Sequence, residues 1–447
     1  MSHYVYHPES DRFSLSGMVP TLSFVQKGQV ETEAQERKAL MADLAIVAFL
    51  FFFFGTFLLL VTKFQGSGGP PEWSLAIYVV TMLVAVAIAV ATPLSSVRVA
   101  LIGGPMTLLV LWACASYKWS YLPATTIIQS LMLIATYITS CMVAMHLSWA
   151  RIGRIFSIAL SIEAALSAAI ALLKPDLGIM TEIPGAWCGL WFHKQALGIS
   201  MAFSAGCVAG YLAYRPKEWT WCVPCLLIIL VCLVKSQATT ALVMSALAIS
   251  APFAVKIMTR HPSIAAFGAW SIFTAACVAF ISVKYIAPIF LDLVNKSPTL
   301  TGRTLIWANL DGYFSARPWT GYGFQAFWED KSVAAPVQTL LHRLGGWEAP
   351  NAHSTPFELR LQLGLIGLGL GFLIILRTWL LVLWQAMRVP GVLVAIGTLT
   401  AFSGILSTES IAFDSFSITT VFIYSLFVKV PLSLWNKEGA VQAALYR

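Results

Sequence analysis

Charged residues are scarce in this chain: Asp, Glu, Lys and Arg together make up 11% of its 447 residues. Soluble domains carry about 25% charged residues, so this chain has too few charges to cover a water-facing surface. Hydrophobic residues make up 58% of the sequence, and the mean hydropathy is +0.78. The composition excludes an ordinary soluble protein and predicts an all-α polytopic membrane protein.

An apolar run near the start of the chain is also missing, since none precedes Met41. A secretory signal requires such a run, and we therefore expect residues 1–39 to be a cytoplasmic tail. The net charge of +8 is spread over short gaps between apolar runs instead of forming one basic patch. This distribution is typical of membrane topology and argues against a nucleic-acid partner.

Clusters of metal ligands are absent from the sequence pattern. Cys222 and Cys225 form a C-x-x-C pair, but it lies within an apolar run, whereas redox and zinc sites need polar surroundings and further ligands. Cys188 has no obvious partner for a disulfide. We predict neither a metal nor another cofactor.

Twelve apolar runs approach the roughly 20 residues needed to cross a bilayer. The predicted spans are 40–62, 73–92, 99–115, 123–146, 155–173, 195–213, 219–234, 239–255, 264–283, 357–376, 391–407 and 412–428. They divide the chain into a tail (1–39), transmembrane helices 1–9 (40–283), a long external loop (284–355), transmembrane helices 10–12 (356–428) and a second tail (429–447). No internal repeat is visible.

Positive charge gives the expected orientation of these spans. If the N-terminus is cytoplasmic, every inside gap carries at least one Lys or Arg, whereas the short outside gaps carry fewer. Both termini are therefore predicted to be cytoplasmic, and the long loop is predicted to be external. A loop of this length between packed helices is usually functional, and segments such as Leu305 to Tyr313 suit short helices.

The end of the loop has the signals of a helix start. Thr355 suits the N-cap position, Pro356 the first helical position, and Glu358 completes a T-x-x-E capping box. His353 lies just before it, where an imidazole can accept a proton from a sugar hydroxyl. A purely structural role for His353 or for Arg303, another loop residue, is equally compatible with their positions.

Three loop elements together resemble the O-antigen ligase and polysaccharide polymerase superfamily, closest to its exopolysaccharide polymerase-like members. They are Gly302-Arg303-Thr304 with Trp307, then Arg317-Pro318 followed by Gly321-Tyr322-Gly323, and finally His353-Ser354 followed after nine residues by Gly364-Leu365-Ile366-Gly367. Their order within one long loop carries the resemblance.

Three further segments bear on the resemblance. Phe192-His193-Lys194-Gln195 resembles an H-K-N element of polymerase-like members, and Glu409-Ser410 resembles a Glu-Ser element. The family's basic residue at the start of the eighth span is replaced here by Thr239, with Lys235 four residues earlier. Whether Lys235 takes its place is left open.

The resemblance implies a glycosyltransferase in the bacterial inner membrane with a periplasmic catalytic loop. Its donor would be an undecaprenyl-diphosphate-linked glycan, and its acceptor another glycan or lipid A-core, with no metal involved and inversion at the anomeric carbon. Catalysis is assigned to His353 and Arg303, diphosphate binding to Arg303, Lys194, His193 and Lys235, and support to Arg317, Tyr322, Ser354 and Glu409.

Three functions remain open from the sequence. A polymerase would join lipid-linked repeat units, and the His193 and Glu409 elements favour it. A ligase would move the finished glycan to lipid A-core. A transporter of lipid-linked glycans would also have many spans, but such folds usually show repeated halves.

Overall fold

We analysed the protein as a computed structural model. It describes residues 40–54, 56–65, 74–91, 93–261, 303–345, 349, 351–411, 413 and 417–435. The chain divides into two compact units at residue 48. The described part of the first, residues 40–48, is helical and is the beginning of the first helix; the site described below lies within the second.

The described residues are helical, and their only β pairing is an isolated antiparallel bridge between Ile179 and Trp187. This confirms the predicted all-α class. The helices are α1 (Leu40–Phe53), α2 (Thr56–Gln65), α3 (Ser74–Ala91), α4 (Pro93–Gly103), α5 (Pro105–Ala115), α6 (Pro123–His146), α7 (Trp149–Leu173), α8 (Pro175–Gly178), α9 (Lys194–Tyr214), α10 (Trp219–Ser236), α11 (Thr239–Arg260), α12 (Arg303–Ala316), α13 (Lys331–Gly345), α14 (Thr355–Gln385), α15 (Leu393–Ile405) and α16 (Ile418–Trp435).

Seven helices in the described ranges are long and apolar enough to cross a membrane, or nine if two bent pairs each count as one span. The seven are α6, α7, α9, α10 with the turn before it, α11, α14 and α16. Twelve were predicted, of which the ninth (264–283) lies outside the described residues. The described chain thus has many helices that could cross a membrane, but the count of twelve stays a prediction.

The predicted third span, 99–115, is not one straight helix. The chain bends by 95° between α4 and α5. Gly104 lies at the bend with φ +45°, and Pro105 follows it without an N–H group to continue the helix. Arg377 donates to the carbonyl of Ile102 at 2.7 Å, which satisfies an acceptor that the bend frees from its helix.

The last two predicted spans also differ from the structure. The eleventh (391–407) is a helix of residues Pro390–Ile405, short for a bilayer. The twelfth begins at Ile418 instead of residue 412. Ile411, which precedes it in the chain, contacts α14 instead, where its N–H donates to the hydroxyl of Thr355 at 3.1 Å.

Helix α14 is broken at Gly364, where φ is +68° and ψ is −166°. A Cβ atom at this position would lie 2.2 Å from the carbonyl carbon of Trp319, so only glycine allows the two segments to approach. A break in a membrane helix leaves N–H and C=O groups that need other partners.

The loop before α14 supplies those partners through the turn that follows Arg317. Three backbone hydrogen bonds join the two segments: Tyr322 N–H to the Leu361 carbonyl (2.9 Å), Gly323 N–H to the Gln362 carbonyl (3.0 Å) and Leu365 N–H to the Pro318 carbonyl (2.8 Å). The indole of Trp112 in α5 donates to the Leu363 carbonyl at 3.0 Å. Loop and helix therefore form one hydrogen-bonded structure.

The described loop has its own apolar core between α12, α13 and α14. The segment Leu305 to Tyr313, predicted to be a short helix, lies within α12. The core consists of Ile306, Leu310, Phe314, Tyr322, Phe327, Ala334, Val337, Ala349, Ala352 and Leu361. Because Ala352 belongs to this core, the loop fixes the backbone next to His353.

Candidate functional site

A cavity of about 700 Å³ opens between α2, α7, α9 and α16, beside the segment that precedes α14. Its polar lining includes His193, Asn351, His353 and Glu409, and its apolar lining includes Phe203. Drug-sized ligands usually occupy cavities of about 300–1,000 Å³. The space therefore suits a substrate that carries both polar and apolar groups.

His353 and Arg303 contact the same carboxylate at this cavity. Arg303 Nη2 lies 2.5 Å from Glu409 Oε1, and His353 Nδ1 lies 3.4 Å from Glu409 Oε2. The side chain of Glu409 is 8% exposed, and that of His353 is 27% exposed. A carboxylate at Nδ1 favours the tautomer that leaves Nε2 as the basic nitrogen. The arrangement suits a general base whose ring is oriented by an acid.

Glu409 is held against the start of α14 by backbone contacts. Its carbonyl accepts from both the N–H of Thr355 (3.1 Å) and the Thr355 hydroxyl (2.8 Å). The Ser410 hydroxyl accepts from the Ser354 N–H at 3.1 Å. Two segments that are more than fifty residues apart in the chain are thereby joined. The position of the carboxylate relative to His353 is fixed by these bonds.

The predicted T-x-x-E capping box is wrong in its details. The N-cap residue of α14 is Ser354, whose side chain makes no capping hydrogen bond, and the Thr355 hydroxyl binds Glu409 instead. Glu358 Oε2 accepts the N–H of Ala352 at 2.7 Å. Glu358 binds this loop N–H instead of the N-cap N–H, because the loop folds back over the start of the helix.

The backbone of His353 has the unusual φ of +48°. Non-glycine residues adopt this region seldom and only when the surroundings enforce it. Here the side chain of Asn351 accepts the His353 N–H at 2.8 Å. On the other side, the Trp307 indole donates to the Ala352 carbonyl at 2.8 Å. These contacts turn the imidazole toward Glu409.

His193 caps the N-terminus of α9 on the opposite wall. Its Nδ1 accepts the N–H of Gln195 at 3.2 Å, which requires an unprotonated Nδ1. Partial burial lowers the pKa of His193, and the charge of Lys194 lowers it further, against the attraction of Glu409 and Glu182. His193 therefore faces the cavity as a neutral ring whose Nε2–H can donate.

The two predicted lysines do not line the cavity. The Lys194 N–H contacts the sulfur of Met180 at 3.4 Å. Lys235 lies with its ammonium 6.0 Å from the ring centre of Trp187, and its carbonyl accepts the Trp187 N–H at 2.9 Å. Both lie near the same end of the helices, and Lys235 supports the loop between α8 and α9.

Arg317 and Tyr322, predicted as supporting residues, lie in the loop and not at the cavity. The guanidinium of Arg317 donates to the Trp119 carbonyl at 2.9 Å and lies 5.3 Å from the ring centre of Tyr322. The Tyr322 hydroxyl donates to the Tyr313 carbonyl at 3.2 Å. Arg317 and Tyr322 thus stabilise the turn whose backbone hydrogen-bonds to α14 at its break. Gly302 lies outside the described residues.

Several polar residues of the cavity were not found from the sequence, among them Glu163 and Asn351. Glu163 lies in the middle of α7 and is 4% exposed; its Oε1 accepts from the Thr56 hydroxyl at 2.5 Å. Asn351 lies two residues before His353, and no sequence motif singles it out. An acid within an apolar span is a signal for function, but the sequence does not show which face of α7 meets the cavity. No group of metal-binding side chains occurs in the described ranges.

Residues 224–372 match a family model whose description is O-antigen ligase. The matched segment begins in α10, includes the loop with Arg303 and His353, and ends within α14 beyond the break at Gly364. His193 and Glu409 lie outside it. No curated protein matches the chain.

Proposed function

Because residues 224–372 match the O-antigen ligase family model, which supports membership of the O-antigen ligase and polysaccharide polymerase superfamily, we propose that this chain transfers a glycan from undecaprenyl diphosphate to a sugar hydroxyl. The family is one of lipid-linked glycan transferases, and the apolar helices indicate a multi-pass membrane protein. The reaction is proposed for the outer face of the bacterial inner membrane, with both termini in the cytoplasm.

One observation carries the proposal: His353 and Arg303 meet on the two oxygens of Glu409 at a cavity. The acceptor hydroxyl gives its proton to His353 Nε2 while its oxygen forms a bond to the anomeric carbon. The bond from that carbon to the diphosphate oxygen breaks, and undecaprenyl diphosphate leaves with the electron pair. Direct displacement of this kind inverts the configuration, and Glu409 stabilises the imidazolium that forms.

Arg303 is the proposed contact for the leaving diphosphate. One of its five N–H donors is used by Glu409, and the others are proposed to bind phosphate oxygens as negative charge develops. The Glu409 carboxylate holds the guanidinium in place, although its charge opposes that of the diphosphate. His193 is proposed to donate a neutral hydrogen bond there, and Lys194 and Lys235 to act at longer range.

Polymerisation of repeat units is the preferred form of the reaction. It is supported by His193 and Glu409, which resemble elements of polymerase-like members and which line the same cavity. Ligation to lipid A-core is the second candidate, supported by the description of the matching family.

The test incubates the purified protein with undecaprenyl-diphosphate-linked repeat units, which are extracted from cells that lack this protein. The glycan products are separated on a gel. We expect a ladder from the donor alone and none with His353→Ala at equal protein in the membrane. A product that forms only after lipid A-core is added would establish the ligase. Lack of any product in both reactions, or full activity of His353→Ala, would contradict the proposed transfer chemistry.

A further inference from the structure

The cavity extends well below the histidines. Its lining runs from His193, the N-cap residue of α9, to Phe203 within that helix, and ten residues rise about 15 Å along a helix. Glu163 on α7 lines the same cavity, ten residues before that helix ends at Leu173. The space therefore has a floor inside the helix bundle, beneath the residues proposed to react.

Two polar atoms at this floor have no hydrogen-bond partner among the described residues. They are Glu163 Oε2 and Ser200 Oγ, and the two side chains are 4% and 6% exposed. An unpaired polar group that is buried costs about 1–3 kcal/mol. Two such groups on facing helices at one cavity indicate a ligand that supplies their partners.

From this geometry, and resting on the proposed glycan transfer, we infer that Glu163 and Ser200 form a subsite that binds hydroxyl groups of one sugar ring of the glycan. A sugar hydroxyl both donates and accepts, so it pairs with a carboxyl oxygen and with a serine hydroxyl. Phe54 and Phe203 also line the cavity. Such rings are suited to the apolar face of a sugar.

Other occupants fit this floor less well. An isoprenoid chain offers no donor and would leave both oxygens unpaired. A diphosphate would meet the carboxyl group of Glu163 with no lysine or arginine among the described residues that line the cavity. Hard cations take about six or more oxygen ligands, and two oxygens do not provide them.

A control residue, Ser161, lies on α7, the helix that carries Glu163. Ser161 Oγ is also buried without a partner in the described residues, but Ser161 does not line the cavity. Ser161→Ala and Ser200→Ala thus remove equivalent hydroxyl groups, one away from the cavity and one facing it. In neither variant does another described side chain lose a partner.

The experiment measures initial transfer rates against the concentration of the extracted lipid-linked repeat units. Ser200→Ala is expected to raise KM about fivefold, and Glu163→Gln about tenfold, while kcat stays within about twofold of wild type. Ser161→Ala should match wild type. The thermal midpoint of Ser200→Ala in detergent should stay level or rise, since a buried unpaired hydroxyl is removed.

An unchanged KM in both Ser200→Ala and Glu163→Gln, with wild type active, would overturn the subsite and leave the transfer reaction standing. A fall in kcat with an unchanged KM would also overturn the subsite, because that pattern indicates an effect on the chemical step and not on sugar binding. If wild type itself transfers no glycan, the proposed function fails first and the inference fails with it.

Discussion

Glu358 Oε2 accepts the backbone N–H of Ala352 at 2.7 Å, so the first turn of α14 holds the residue that precedes His353. The same carboxylate accepts from the indole of Trp328 and, at 2.6 Å, from the amide of Gln362. It is therefore a buried acceptor for three donors. The histidine, the loop and the helix break are connected through one side chain.

Replacing Glu358 by Gln should impair both stability and activity. An amide has one acceptor oxygen where the carboxylate has two, so at least one buried donor loses its partner, at about 1–3 kcal/mol. We expect a lower thermal midpoint in detergent and a reduced kcat for glycan transfer. Glu329→Gln, an exposed acid in the same loop, is the control. A Glu358→Gln protein as stable and active as this control would refute the role.

Glu409→Gln should reduce kcat by roughly tenfold to a hundredfold, because contacts to a charged group contribute about 1.5–3 kcal/mol. The variant keeps the shape of the side chain but no longer stabilises a protonated His353. The measurement is the initial rate of transfer at one pH with saturating donor and acceptor, compared at equal amounts of protein. If kcat stays as in wild type, Glu409 only anchors the loop.

Arg303→Lys tests the geometry of the proposed diphosphate contact. A lysine keeps the positive charge but has a single ammonium group instead of a planar fork with five donors. It cannot readily bind Glu409 and two phosphate oxygens together. We expect transfer to fall by on the order of tenfold or more, measured with saturating donor. Near-normal transfer would reject the fork geometry and leave a simple charge effect.

Gly364→Ala should destabilise the protein strongly. The residue has φ +68°, and the added methyl group would lie 2.2 Å from the backbone of Trp319, so both strain and a clash with backbone oppose it. Gly369→Ala, five residues later in the same helix with open space around it, is the matched control and should be neutral or slightly stabilising. Equal thermal midpoints for the two variants would contradict the described break.

His193 should make the protein less stable as the pH falls. Burial lowers its pKa below the 6.5 of an unfolded histidine, so the native state binds fewer protons than the unfolded state. Its stabilising contribution is present above pH 6.5 and is lost as the pH falls toward the native pKa. The thermal midpoint should drop less between pH 7.5 and 5.5 in His193→Gln. Identical slopes in both proteins would rule this out.

The class of the fold followed directly from the sequence, because scarce charge and long apolar runs leave few other structures. The start of α14 was also predicted correctly to within a residue or two, from Thr355 and Pro356. The bends were not predictable from hydropathy. Gly104 and Gly364 each lie inside a predicted apolar span, and each break depends on partners far away in the chain, Arg377 for the first and the loop for the second.

The candidate site was also only partly predictable from the sequence. The resemblance supplied His353, Arg303 and Glu409, and the structure brings these together, although their roles in catalysis remain predictions. It does not supply distances, so nothing in the sequence showed that Arg303 binds Glu409. The sequence also gave no reason to choose Glu163 over other buried residues, since the facing of a helix in a bundle depends on how all its neighbours pack.

The break in α14 also bears on how the protein is assembled in the membrane. The loop residues 317–323 leave the ribosome before α14, so their hydrogen bonds to α14 cannot form until that helix has been synthesised. Until they dock, the carbonyls of Leu361 and Gln362 lack the donors that they have in the finished protein, at several kcal/mol each if exposed to lipid. Seating of this helix and docking of the loop are therefore a single event, and a chain that has inserted α14 correctly has already built the backbone around His353.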